Sequence, residues 1–254
     1  MCRKAPGVRI PAHPPRSPNA LLDRARLEMI GPMRLLIALI FFAGGLALAG
    51  EKSSVGDNSL EVAQQSFQAE NFAATHAALD RFEKTNQPTA ESLDLRGCAY
   101  MEQGKFDEAG KAFEAAHNAS PAVFAPRIHM CDLLLRQKKF SEAREIYDAL
   151  LKETNILASN ERLRFGVLMT YLGEHDEKGA QSALQRISFP TQTPAYYYAQ
   201  AAWGFAHGRD GEAKKWINSA AKIFDSNAIP WFAYSLYEFG WIKKKSPATL
   251  YQSI

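Results

Sequence analysis

Residues 91–121 read ESLDLRGCAYMEQGKFDEAGKAFEAAHNASP, two helical patterns joined at Gly104, Lys105 and Phe106 and closed by Pro121. Small residues fall at Gly97, Ala109 and Ala116, and bulky ones at Leu93, Tyr100 and Phe113. Two antiparallel helices can approach closely only where small side chains sit at their crossing and large ones fill the flanks. A single hairpin of this kind cannot bury its apolar face alone, so neighbours must stack on it. The pattern is therefore predicted to recur on both sides.

It recurs from starts at 56, 90, 124, 159, 194 and 228. In the first unit Ala63 is the small residue, Asn71-Phe72 the turn, and Leu79 and Phe82 the stripe of the second helix; Thr75 stands where alanine is expected. The third unit has Cys131, Phe140, Ala143 and Tyr147 in register, with Phe140, Ala143, Ile146, Tyr147, Leu150 and Leu151 on one helical face. The fourth drifts. Gly166 keeps the small place and Gly173 is assigned to the turn, but the next small place falls on Lys178, with Ala180 two residues late. An insertion or a looser turn is expected there. Ala201, Gly208, Ala213 and Ala220 restore the pattern in the fifth unit, and Trp231 and Ser235 open a sixth that stops at Lys243-Lys244-Lys245. The expected architecture is all-α: a right-handed solenoid of about five helical hairpins plus a C-terminal closing helix, spanning 58–242, with 243–254 as a flexible tail.

The unit beginning at Ala90 resembles the tetratricopeptide repeat. Gly97, Ala109 and Ala116 occupy that family's small places, Tyr100 and Phe113 its bulky ones, and Pro121 its closing proline. Leu93 and Arg96 depart, standing where tryptophan and leucine are usual. The resemblance implies a protein-binding groove lined by the first helix of each hairpin. Its partner-contacting places carry over to Phe67, Asp94, Met101, Ile128, Asp132, Leu135, Leu163, Tyr198 and Phe205. Such a groove is acidic towards its N-terminal half and apolar or aromatic beyond, which suits an extended or helical protein segment with an apolar anchor and some positive charge. The alternative for each residue is packing between repeats. A Lys/Asn set that would clamp a terminal carboxylate is missing from these places, so the chaperone-tail reading is set aside.

A second candidate interface is the aromatic end. Seven of the eleven residues from Trp231 to Trp241 are aromatic or leucine, and they surround most of the helix. A solenoid cap ordinarily keeps a polar outer face, so this helix is expected to be covered on more than one side. Trp231, Phe232, Tyr237 and Trp241 are the residues singled out. They serve either a cap pressed into the fifth repeat or a contact for a partner, a second copy or a membrane surface.

The net charge of +3 comes from the first 49 residues, which hold seven Lys/Arg against Asp23 and Glu28. Removing them leaves 23 basic and 25 acidic residues, a balance that argues against nucleic-acid binding. Met33 to Ala49, MRLLIALIFFAGGLALA, reads as a secretory signal peptide with a small-x-small cleavage pattern at Ala47-Leu48-Ala49. Retention as a membrane anchor is the alternative. Residues 1–32, rich in Pro and Arg, are expected to be a leader or an artefact of an upstream start, and 50–57 a linker. The expected location is the periplasm or the extracellular space.

Cys98 and Cys131 fall in consecutive first helices, where a disulfide or two small buried packing residues are both open readings. No G-x-S-x-G, H-E-x-x-H, P-loop, G-x-G-x-x-G or paired CxxC motif occurs. The histidines lack metal-ligand spacing, and the one local cluster, His175-Asp176-Glu177, reads as a solvated turn. The function expected is non-catalytic, without cofactor or metal: a protein-binding scaffold of the cell envelope. Two other readings accompany it, a membrane-peripheral assembly factor and a noncatalytic subunit of an envelope enzyme.

Overall fold

A computed structural model describes residues 58–226 and 228–243. The leader, signal, linker and tail expectations lie outside these residues. Among the described residues there are eleven helices and no strand. They are α1 (Ser59–Gln68), α2 (Phe72–Thr85), α3 (Ala90–Glu102), α4 (Phe106–Ala119), α5 (Ala125–Arg136), α6 (Phe140–Glu153), α7 (Leu157–Gly173), α8 (Glu177–Gln185), α9 (Ala195–Ala206), α10 (Asp210–Ile223) and α11 (Pro230–Glu238). Each odd-numbered helix from α1 to α9 packs on the helix that follows it, giving five hairpins. First helices also touch one another (α1 with α3, α3 with α5, α7 with α9) and so form an inner row. The second helices bridge outward to the next hairpin, α2 to α3, α4 to α5, α6 to α7 and α8 to α9. This is the expected all-α solenoid.

The hairpin turns set the period. Each contains one residue with a left-handed backbone: Glu70, Gly104, Lys138, His175 and Gly208, with Gly240 in the same place after α11. Three of these are not glycine, a conformation that costs on the order of 1 kcal/mol. From Glu70 to His175 the interval is 34 residues twice and then 37. The extra residues lie within α7, which runs 17 residues where α3 and α5 run 13 and 12. The irregularity expected in the fourth unit is thus a longer first helix. Gly173 does not form the turn; it ends α7, and His175 takes the left-handed position.

Gly173 has a different purpose. A Cβ there would lie 2.4 Å from the ring of Phe140, and one at Gly166 would lie 2.4 Å from the ring of Tyr147. Both rings come from α6, so two glycines of α7 accept two aromatic knobs of the preceding hairpin. Gly97 accepts Phe113 within its own hairpin in the same way, at 2.5 Å. Phe113 and Tyr147 are fully enclosed, and Phe113 joins Phe67, Cys98, Ala99, Met101, Ala109 and Leu133 in one apolar cluster.

Polar contacts fix the stacking angle. Arg96, the departure from the expected leucine, reaches back to Asp80 and Glu83 on α2, each at 3.0 Å. Arg127 grips Glu153 through two bonds, and Arg144 grips Glu174. Glu161 is buried in α7 and accepts from the backbone amides of Gln192 and Thr193 and from the hydroxyls of Thr191 and Thr193. That carboxylate ties down the connection into α9. Caps are local: Asn71 accepts from Ala74 N, Thr89 and Ser92 form a capping box, and Asp176 accepts from Gly179 N. Among the described residues no helix is long and apolar enough to cross a membrane.

The glycines divide by surroundings, and that gives a test. Gly166→Ala forces the Tyr147 ring out of place and is expected to cost about 1–3 kcal/mol. Gly211→Ala, in α10 with nothing within 4 Å of the new methyl, is expected to be neutral or to stabilise by up to about 1 kcal/mol. Urea unfolding of the two variants compares them directly.

Candidate functional site

The inner row carries the groove residues, and α11 lies on it. Although α11 follows the fifth hairpin in sequence, its side chains reach four hairpins. Trp231 Nε1 donates to Asp132 Oδ2 of α5 at 3.2 Å. The face of the same indole carries the Arg162 guanidinium of α7 at 4.2 Å from the ring centre. Trp231 and Phe232 meet the edge or face of Phe165, and Phe232 also meets Tyr198 of α9. Tyr234 donates its hydroxyl to Glu102 of α3 at 3.1 Å and lies under Arg136 of α5. Beyond the helix, Phe239 approaches Phe140 and Trp241 stacks on Phe205 with planes 16° apart.

The pattern in α11 explains how one helix serves both walls. Trp231, Tyr234 and Glu238 are three or four residues apart and share a face. They meet α3 and α5, where Arg136 binds the Met101 carbonyl at 2.9 Å and pairs with Glu102 and with Glu238. Phe232 lies on the next face and meets α7 and α9. Trp231, Phe232, Tyr234, Ser235 and Leu236 are all buried.

Charge in this contact is unusually enclosed. Burial raises the Asp132 carboxyl above the ordinary carboxylate range, opposed by His129 and Arg162 and by the Trp231 hydrogen bond. Burial lowers Arg162 to about 10, with Asp132 and then Tyr147 pulling it back up. Trp231 therefore bridges an anion and a cation, using its N–H for one and its π face for the other. Burial likewise pushes the Tyr198 phenol up to about 12.

Of the residues expected to line the groove, Asp132, Tyr198 and Phe205 meet α11 or the turn after it. Leu135, Leu163 and Ile128 are buried in the same first helices. Phe67 and Met101 belong to the apolar cluster between the first two hairpins. Asp94 binds His129 Nδ1 through both oxygens, at 2.9 and 3.0 Å. Of the aromatic-end residues, Trp231 and Phe232 face the groove, while Tyr237 and Trp241 are half-buried. Glu102, Arg136, Arg162 and Phe165 complete the contact and are not among the expected positions; they sit at places the repeat pattern does not reserve for partners. Cys98 and Cys131 are buried free thiols. In the His175-Asp176-Glu177 cluster, Asp176 caps α8 and Glu177 accepts from His207 Nε2 at 3.0 Å.

Residues 100–155 match the model of a family described as the tetratricopeptide repeat. That stretch carries the tetratricopeptide repeat, and the described helices continue the same hairpin stacking on both sides of it. In structure it is similar to a thermophilic tetratricopeptide repeat protein of Thermus thermophilus, at a TM-score of 0.54 and 16% identity over 71% of this chain and 98% of that one. A tetratricopeptide repeat protein of Parabacteroides merdae matches at a TM-score of 0.38 and 15% identity, over 73% of this chain and 88% of that one. No curated protein matches the sequence. The tetratricopeptide repeat is in general a non-catalytic scaffold for protein interaction, and its inner row is the surface occupied here by α11.

The Trp231 contact can be divided experimentally. Trp231→Phe keeps a ring over Arg162 but leaves buried Asp132 without this donor, and is expected to cost about 1–3 kcal/mol. Trp231→Ala also opens a cavity and is expected to cost about 3–5 kcal/mol. Denaturant unfolding of both variants reads the difference; a Trp231→Phe chain as stable as the unaltered one would show that the indole N–H contributes nothing.

Proposed function

We propose that the protein is a non-catalytic adaptor of the cell envelope that holds a helical segment of a partner protein in the groove where α11 lies. The observation that carries this is the seating of Trp231, with its N–H on Asp132 and its face on Arg162. An amphipathic helix in a groove, anchored by residues three or four apart, is a common mode of peptide recognition. Here α11 provides the template: an aromatic anchor that can donate a hydrogen bond, a second aromatic at the next position, and an acidic residue, Glu238, about two turns beyond the anchor for Arg136. A partner helix of the same pattern would meet the same surface. The acidic groove expected from sequence is thereby refined, since Arg136 and Arg162 balance Asp132 and Glu102 and no excess of positive charge is required of the ligand. The envelope setting rests on the signal-like stretch at 33–49. Use of the aromatic end on a membrane surface is less well supported, because Trp231, Phe232, Tyr234 and Leu236 are covered by the protein's own inner row.

A labelled peptide of residues 229–242 tests the proposal against three forms of the full chain. The unaltered chain should bind it weakly, since α11 competes from within. The Trp231→Ala/Phe232→Ala chain, with its own helix loosened, should bind it at least ten-fold more tightly, and Tyr198→Ala in that background should remove the gain. Equal, weak binding by all three, with circular dichroism confirming that they are folded, would overturn the reading.

A further inference from the structure

We propose that Asp94, Cys98 and His129 form a binding site for a divalent cation of the zinc type. Asp94 and Cys98 are four residues apart on α3 and therefore share a face. His129 comes from α5, the next first helix, 31 residues beyond Cys98. Stacking of the second and third hairpins brings one oxygen, one sulfur and one nitrogen ligand within 4.8 Å of one another.

The distances suit tetrahedral coordination. With Zn–S of about 2.3 Å and Zn–N of about 2.0–2.1 Å, a sulfur and a nitrogen on the same ion stand roughly 3.5 Å apart. Cys98 Sγ and His129 Nδ1 are separated by 3.5 Å. The Asp94 oxygens sit closer to that nitrogen, at 2.9 and 3.0 Å, because a hydrogen bond draws them in. An ion replacing the shared proton would push them out by a few tenths of an ångström. Asp94 can give way, being the most exposed of the three at 15%, against 3% for His129 and 2% for Cys98. The ion's path therefore runs past Asp94.

The surrounding charge also favours a cation. Burial first, and then the negative potential of Asp94, Asp132 and Glu102, hold the Cys98 thiol well above its ordinary range, with Arg136 opposing them; the same three carboxylates attract a cation, whose charge would offset the cost of forming the thiolate. A thiolate and a carboxylate together balance a doubly charged ion, and the mixed N, O and S set matches zinc better than the hard cations, which prefer oxygen alone. Three protein ligands leave a fourth position for water. A bound ion would cross-link α3 to α5 and so lock the second hairpin to the third.

Cobalt(II) is the probe, because a thiolate ligand gives it an intense near-ultraviolet charge-transfer band. The full chain, stripped with a chelator and kept reduced, is titrated with Co2+. The expected result is a charge-transfer band that saturates at one equivalent and is displaced by Zn2+. Cys98→Ser should abolish that band, Cys131→Ser should leave it, and Asp94→Asn, at a partly exposed position that preserves the fold, should weaken affinity at least ten-fold. A folded wild-type chain without the band, a band that survives Cys98→Ser, or an affinity unchanged in Asp94→Asn would each overturn the site.

Discussion

The structure depends on how closely one helix can approach the next. At Gly97, Gly166 and Gly173 the approach is close enough that an aromatic ring occupies the space where a Cβ would stand. Each ring is large and rigid, so its position determines the angle and separation of two helices at once. Two of the three contacts join α6 to α7, where the repeat interval lengthens from 34 to 37 residues. The solenoid keeps its stacking there because the knobs hold the junction while α7 absorbs the added length beyond them. Glu161 completes the adjustment by collecting the amides of the following connection, which no helix or strand would otherwise satisfy.

Much of this was legible in the sequence, because a helical hairpin advertises itself locally. The small and bulky positions around residues 91–121 encode a crossing between neighbours, and the 34-residue recurrence extends it along the chain. The departure at Arg96 was visible as a departure, but its reason was not. A leucine site becomes an arginine site only when Asp80 and Glu83 of the previous hairpin can receive it, and that pairing is a property of stacking. The turn assigned to Gly173 failed for a related reason: glycine marks both left-handed turns and close approaches, and composition alone does not separate the two.

The site was less legible than the fold. The aromatic run 231–241 announces a helix that needs cover on more than one side, but hydrophobicity has no direction and does not name the covering surface. What places α11 on the inner row is a set of polar matches, Trp231 to Asp132, Tyr234 to Glu102 and Glu238 to Arg136, each between residues about a hundred or more apart in sequence. The Asp94, Cys98 and His129 group is hidden in the same way. Metal-ligand spacing is ordinarily sought within one short segment, whereas these residues become neighbours only when two repeats are overlaid by their period and the adjacent position is considered as well.

The position of α11 changes how the whole chain holds together. Stacked repeats ordinarily behave as a one-dimensional array, in which an end can fray while the middle stays folded. Here the last described helix is fastened to the second, third, fourth and fifth hairpins, with Tyr234 and Glu102 separated by 132 positions. Closing that span requires the intervening hairpins to be in place, so α11 can dock only late in folding. Once docked, it penalises the opening of any one of them. An array that would otherwise unzip from its terminus becomes a closed cooperative unit, and the same helix makes its melting resemble that of a compact globule more than that of a solenoid.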